Sequence, residues 1–246
     1  MPGTRKSVLI LGGTREAAEI AGRLLELYDW RVISSLAGRT RSPQTPAGET
    51  RIGGFGGSTG LAEFLATETI DLLVDATHPF ATNISRNAVA AAERTATPLI
   101  RLERPRWEKA RGDVWTGVRS EQEACAAIPA NARAFLALGR QHVDAFAGRD
   151  DVHFVLRMVD PPDTPLPFAG CDLLLGRPGE NVEAETAVLR DHGITHLVCR
   201  NSGGRASYAK IVAARNRDIP VIMIERPESP RGQSVPTVDA LMDAIA

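Results

Sequence analysis

Cysteine is scarce in this 246-residue sequence: Cys125, Cys171 and Cys199 are odd in number and scattered, with no Cys-x-x-Cys pair. That argues against a disulfide framework or a thiolate zinc site and fits a reducing cytoplasm. A surplus of one charge sign is also missing, since 29 Lys+Arg face 30 Asp+Glu. Dedicated nucleic-acid or polyanion binders carry a strong basic excess, so no nucleic acid is expected as a partner. No apolar run approaches the roughly 18 residues that a spanning helix needs, so no membrane is expected either. The first residues lead directly into a strand-like run without a signal-peptide pattern, and a cytoplasmic location is expected. There is no Walker loop, no serine nucleophile elbow and no clustered His/Cys/carboxylate set, so hydrolase and ATPase readings lose ground and no metal is expected. Lysine is nearly absent, with Lys6, Lys109 and Lys210 the only three among the 29 basic residues. GC-rich codon usage accounts for such an arginine bias, and so does a need to grip carboxylates or phosphates bidentately. Composition leaves both open.

What is present is an alternation of apolar runs and helical patterns. Val8-Leu9-Ile10-Leu11 ends in Gly12-Gly13-Thr14, and apolar residues from Ala17 to Leu27 then recur at helical spacing: strand, tight glycine turn, helix. Further strands are expected at Arg31–Ser35, Ile70–Asp75 and Leu99–Leu102, with helices around Leu61–Leu65 and Ile84–Ala92. The second half repeats the theme with strands at Ala134–Leu138, Val152–Met158, Asp172–Leu175, His196–Cys199 and Val221–Ile224. Its helices are expected at Glu183–Arg190 and Tyr208–Asn216, with a last one carrying Met242 and Ile245. The Pro-rich stretch Asp160–Pro167 reads as a surface loop. Such spacing predicts α/β architecture with mainly parallel sheets flanked by helices. The halves also resemble each other. At an offset of 122, Ala88–Pro105 matches Lys210–Pro227 in seven of 18 positions, ending in Glu103-Arg104-Pro105 and Glu225-Arg226-Pro227. At an offset of 124, Ile70, Leu73 and Val74 match Ile194, Leu197 and Val198. We therefore expect two Rossmann-like lobes, residues 1–108 and residues 109–246.

Ligands of open α/β sheets lie outside the carboxyl ends of the strands, which selects the loops to inspect. Gly12, Gly13, Thr14, Arg15 and Glu16 stand where a phosphate loop meets a helix N-terminus, although the same unit also serves as a plain tight turn. After the second strand come Ser35, Arg39 and Thr40, hydroxyls and an arginine rather than the acid that suits NAD, so NADPH is the expected cofactor. Gly54, Phe55 and Gly56, within Gly53–Gly57, are flexible enough to lie against a planar ligand. Asp75, Thr77 and His78 follow a strand in Asp75-Ala76-Thr77-His78-Pro79-Phe80-Ala81; His78 can polarise or protonate a substrate, or merely pack. In the second half, Arg200, Asn201, Ser202, Gly203 and Gly204 follow the counterpart strand, and Lys210 lies on the next helix.

Together these stretches resemble the precorrin-6A reductases of cobalamin biosynthesis. The resemblance is carried by Leu9–Thr14, Ser34–Arg39, Arg51–Gly57, Val74–Ala81, Arg104–Trp107 and Asn201–Gly204 followed by Lys210, in order along nearly the whole chain. It implies NADPH-dependent hydride transfer to C19 of a corrinoid precursor with a proton added at C18, residues 1–108 binding the nucleotide, residues 109–246 the substrate, and the active-site cleft lying between the lobes. The substrate is then a flat polycarboxylate macrocycle, to be gripped by basic residues at strand ends and adjoining helices: Arg104, Arg140, Arg200 and Lys210 first, with Arg101 and Arg205 nearby. Two departures show: Arg200 stands where the family tends to have Lys, and Arg177-Pro178-Gly179 replaces Arg-Gly-Pro. A monomer is the favoured state. The alternatives are an NAD(P)-dependent reductase of a smaller metabolite, a non-catalytic NADP-sensing module and, less well supported, a two-lobed glycosyltransferase.

Overall fold

The computed structural model describes residues 5–38, 45–177, 179–205 and 207–246. The chain forms two units: one runs through Pro105 and resumes at Glu228–Ala246, and the other is Arg106–Pro227. Expected residues Arg39 and Thr40 lie outside the described residues, as does Pro178.

The first unit opens with β1 (Ser7–Leu11), α1 (Arg15–Leu27), β2 (Arg31–Leu36), β3 (Glu49–Ile52), α2 (Ser58–Thr67), β4 (Leu72–Asp75), α3 (Thr82–Thr95) and β5 (Leu99–Leu102). The second contains β6 (Trp115–Val118), α4 (Glu121–Ala127), β7 (Arg133–Ala137), β8 (His153–Met158), β9 (Cys171–Leu175), α5 (Val182–Asp191), β10 (His196–Arg200), α6 (Ala209–Arg215) and β11 (Val221–Ile224). The chain then returns to the first unit as β12 (Ser234–Val235) and α7 (Val238–Ile245). All strand pairs are parallel, in the orders β12-β5-β4-β1-β2-β3 and β6-β11-β10-β7-β8-β9. Read from β3, the first sheet has the 3-2-1-4-5-6 order of a doubly wound nucleotide-binding fold. Both sheets are thus Rossmann-like, as the alternating pattern predicts.

The central strand shows why the apolar run is continuous. Val8 and Ile10 point to one face, packing with Ile20 and Leu24 of α1 and Leu241 of α7. Leu9 and Leu11 point to the other, packing with Leu61 and Leu65 of α2 and Ala88 and Ala91 of α3. A strand covered on both faces has no polar side to alternate with. In the second unit Phe135, Leu197 and Met223 of the sheet pack with Leu189 of α5 and Ile211 of α6. Truncating one such leucine costs about 2–5 kcal/mol.

The internal repeat has a backbone counterpart. Left-handed Thr69 and Ala96 (φ 52° and 54°) match Gly193 and Asp218 (φ 58° and 52°) at the offsets of 124 and 122. The bond from Leu73 N–H to the Pro98 carbonyl likewise matches that from Leu197 N–H to the Pro220 carbonyl. Both Glu-Arg-Pro signals end at a unit boundary, Pro105 and Pro227.

This corrects the expected division. The first boundary falls after Pro105 rather than residue 108, and residues 228–246 belong to the first unit, not to a lobe spanning 109–246. The cause is pairing and burial: β12 extends the sheet along β5, and Val238, Leu241 and Met242 fill the α1 side of its core. Among the described residues, no helix is long and apolar enough to cross a membrane.

Candidate active site

In the first unit, the carboxyl ends of β1, β2, β4 and β5 carry most of the expected residues. The turn after β1 is tied down when Gly12 N–H donates to the Ser35 carbonyl at 3.0 Å. A Cβ on Gly12 would stand 3.3 Å from that of Ala17, so glycine permits the close approach to α1. Gly13 has φ +96°, the left-handed region, and no other group within 4 Å of where a Cβ would sit. Thr14 caps α1 by accepting from Ala17 N–H at 3.1 Å, while its hydroxyl donates to the Ala76 carbonyl at 2.7 Å. The cap stabilises the helix by about 1 kcal/mol and leaves its N-terminal dipole facing the turn. Glu16 in the first helical turn is paired with Arg104 at 2.7 Å. Arg104, expected among the substrate-gripping residues, therefore sits beside the glycine turn and offsets the Glu16 charge.

Arg51 braces the glycine loop after β3. Its guanidinium donates to the Gly53 and Gly54 carbonyls at 2.6 and 2.7 Å, lies 3.8 Å from the Phe55 ring centroid, and is 3.5 Å from the Ser35 hydroxyl. Phe55 in turn meets Phe64 edge-on.

The Asp75–Ala81 loop is held by a buried polar set. Asp75 ends β4, 3% exposed, and accepts from Thr77 N–H at 3.1 Å and the Thr77 hydroxyl at 2.6 Å. Its other oxygen lies 3.6 Å from Nε of Arg101, the neighbouring residue on β5. Arg101 is itself buried and donates to the Pro230 carbonyl at 2.6 Å, so it braces the loop from inside rather than reaching for a ligand. His78 Nδ1 accepts from Phe80 N–H at 3.3 Å, which puts the ring hydrogen of the neutral form on Nε2. Asp75, Thr77, His78, Ser85 and Arg101 line a recess of about 20 Å³, room for roughly one water and not for a cofactor ring.

In the second unit, the loop after β10 is anchored by Trp107. Asn201, 3% exposed, accepts from Trp107 N–H at 2.8 Å and donates to the Trp107 carbonyl at 3.1 Å, while the Asn201 carbonyl accepts from Arg226 Nε at 2.7 Å. The Trp107 indole donates to the Gly204 carbonyl at 2.8 Å. Lys210 is buried, donates to the Ser207 carbonyl at 2.7 Å and lies 5.0 Å over the Trp107 ring; burial holds its ammonium below the usual lysine range. Asn201 and Lys210, expected to touch substrate, are thus turned inward, because each satisfies backbone groups that shape the loop. Ser202, Gly203 and Gly204 form the loop itself. Arg140 donates to the half-exposed Asp163 at 2.8 Å. Arg200 donates to the Leu138 carbonyl at 3.2 Å and meets His142 at 2.9 Å. Glu185 of the pair with Arg157 on β8 (2.7 Å) also accepts from Gly179 N–H, at 3.3 Å.

Sequence reasoning gave no role to Trp107, Arg51 or His142, which hold these loops in shape. Trp107 and Arg51 stood within the quoted motifs, and their neighbourhood to glycine loops was the available signal. Among the described residues no group of three or more His, Cys, Asp and Glu side chains could hold a metal ion.

Comparison with known proteins agrees over the full length. The family model described as precorrin-6x reductase CbiJ/CobK matches residues 7–246. A precorrin-6A reductase of Rhodococcus erythropolis is 47% identical over 240 residues, 97% of this chain and 96% of that one. The Rhodobacter capsulatus protein of the same name is 42% identical, covering 97% and 95%. A solved structure, CobK precorrin-6A reductase, superposes with a TM-score of 0.92 at 41% identity, covering 98% of this chain and 96% of that one. With two parallel six-stranded sheets and a glycine turn at the head of the first, this chain belongs to the precorrin-6x reductase CbiJ/CobK family of oxidoreductases.

Proposed function

We propose that the protein reduces precorrin-6A with NADPH, adding hydride at C19 and a proton at C18 of the macrocycle. The observation that carries the cofactor half is the turn Gly12–Thr14: open at Gly13, tied to β2 through Gly12 and Ser35, and followed by a capped helix N-terminus. Those groups fit a diphosphate, which needs close backbone approach and free N–H donors. Gly12, Gly13, Thr14 and Arg15 then hold the diphosphate, with Arg104 cancelling the repulsion from Glu16. Ser35, Arg39 and Thr40 take the 2′-phosphate, and Gly54, Phe55 and Gly56, braced by Arg51, flank the planar rings. When bound, the dinucleotide supplies the hydride; the chain supplies orientation and exclusion of water.

The second unit supplies the carboxylate grip: Arg140 and Arg200 as cations, with Ser202, Gly203 and Gly204 offering loop donors that Asn201 and Lys210 hold in shape. Asp75 fixes Thr77, and the loop they form presents His78, which orients the substrate rather than acting as the acid. General acid catalysis is worth about 10²–10⁴-fold. Single-turnover reduction in His78→Ala is therefore expected to fall by less than about a hundredfold, and a loss of several thousandfold with binding intact would make His78 the acid.

The test mixes protein, NADPH and precorrin-6A and follows both absorption spectra. Loss of reduced nicotinamide matched by a change in the macrocycle spectrum is expected, and consumption of neither would refute the reading. A charge-assisted contact is worth roughly 1.5–3 kcal/mol, so Arg39→Ala should weaken NADPH by tenfold or more and NADH little. Equal losses for the two dinucleotides would remove Arg39 from the 2′-phosphate role.

A further inference from the structure

Arg200 is held in an arrangement that depends on the protonation of a neighbour. Its Nη1 lies 2.9 Å from Nε2 of His142, whose Nδ1 lies 2.9 Å from Oε1 of Glu121. A guanidinium has no lone pair to offer, so the direction of the first bond is fixed: Arg200 donates and Nε2 accepts. His142 must then be neutral, with its hydrogen on Nδ1, donated to the Glu121 carboxylate. The second anchor is the bond from Nη2 to the Leu138 carbonyl at 3.2 Å. Because the guanidinium is a rigid planar fork, two anchors set the plane in which it can meet a carboxylate. The three residues come from α4 (Glu121), the 3-10 turn after β7 (Arg140–His142) and β10 (Arg200), so the arrangement is tertiary.

We propose that His142 is a positioning residue for Arg200, and that protonating it removes one of the anchors that orient the guanidinium and weakens substrate binding on acidification. This rests on the reading that Arg200 grips a carboxylate of the macrocycle. Protonation removes the lone pair that Arg200 uses and sets one cation against another. Among the described residues, the ring is bonded to Glu121 from α4 and Arg200 from β10. Its own turn carries Arg140, bonded to Asp163, and the next turn carries Asp144. Ordinary carboxylates titrate near 4, so between pH 7.5 and 6 the substrate's carboxylates stay ionised and a change in KM over that interval reports on the protein.

The experiment measures KM and kcat for precorrin-6A, and Kd for NADPH, at pH 7.5 and 6 in the native protein and in His142→Ala, His142→Gln and Arg200→Ala. A glutamine amide can accept from Arg200 and donate to Glu121, yet does not titrate. His142→Ala is expected to raise KM roughly tenfold at pH 7.5, the size of one lost charge-assisted bond, with kcat and NADPH affinity little changed. His142→Gln should keep a near-native KM at pH 7.5 and abolish the rise that the native protein shows at pH 6. If His142→Gln retains that rise, or His142→Ala leaves KM unchanged while Arg200→Ala raises it, the inference fails and the role of Arg200 stands. If Arg200→Ala leaves KM unchanged, that role and the inference fall together.

Discussion

Asp75 and Cys199 hold the same place in two sheets of the same design. Asp75 lies between Leu11 on β1 and Arg101 on β5, and Cys199 lies between Ala137 on β7 and Met223 on β11. Both are buried near a carboxyl edge; Asp75 ends β4, and Cys199 stands one residue before the end of β10. Their chemistry is opposite. The first position carries an ion pair that organises its loop from below through Thr77. The second carries a neutral thiol, which donates weakly to the Met223 sulfur at 3.8 Å, and its loop is organised from the side by Asn201 and Trp107. A parallel sheet therefore fixes where a functional loop emerges, while the residues near the strand end decide how the loop is held. A buried charge fits the unit proposed to steer a reacting substrate, and a closed apolar position one residue before Arg200 fits the one proposed to grip it.

Arg101→Met should produce the largest effect, because it leaves the Asp75 carboxylate buried without its partner. The expected loss is about 3–5 kcal/mol by denaturant unfolding, with part of it recovered in Arg101→Met/Asp75→Leu. A loss below 1 kcal/mol would mean that the two strand ends are less different than their composition. Next in size is Asn201→Ala, which strands both backbone groups of Trp107. A cost on the order of 2–4 kcal/mol is expected, with a raised KM for the macrocycle and unchanged NADPH affinity. Loss of NADPH binding instead would assign the second loop to the cofactor.

The smallest effect is expected at Cys199. Cys199→Val nearly conserves volume and should cost less than about 1.5 kcal/mol at neutral pH. Its signature lies at alkaline pH. Burial pushes the thiol up to about 11, so the unfolded chain ionises first, and the thiol's contribution is complete below its ordinary range, about 8.5, and lost as pH rises through about 11. Lys210 works in the opposite sense, since its lowered value lets stability rise with pH toward the ordinary lysine range. Stability curves should therefore diverge between native protein and Cys199→Val above about pH 8.5, the variant falling less. Parallel curves would show that the thiol is not closed off from solvent.

Much of this comparison was legible in the sequence. β1, β4, β10 and β11 read as strands because each is buried on both faces and so is a continuous apolar run. The edges were not legible. Glu49–Ile52 and Trp115–Val118 are largely exposed, Ser234–Val235 is two residues long, and none of them alternates strongly enough to stand out. The return of α7 to the first unit left no mark, since Val238 and Leu241 would suit either core. In the site, local loops such as Asp75–His78 were readable as strings. Partners far apart in sequence were not: Arg104 with Glu16, Asn201 with Trp107, and His142 with Arg200 meet only through the tertiary fold.

The central claim, that this chain carries a hydride from a nicotinamide to the macrocycle, is tested most directly by isotope transfer. Single turnover of precorrin-6A with NADPH deuterated at both C4 positions, in ordinary water, should give a product one mass unit heavier, with the deuterium at C19 by NMR and protium at C18. A reduced product without deuterium, or with it at another carbon, would contradict the account.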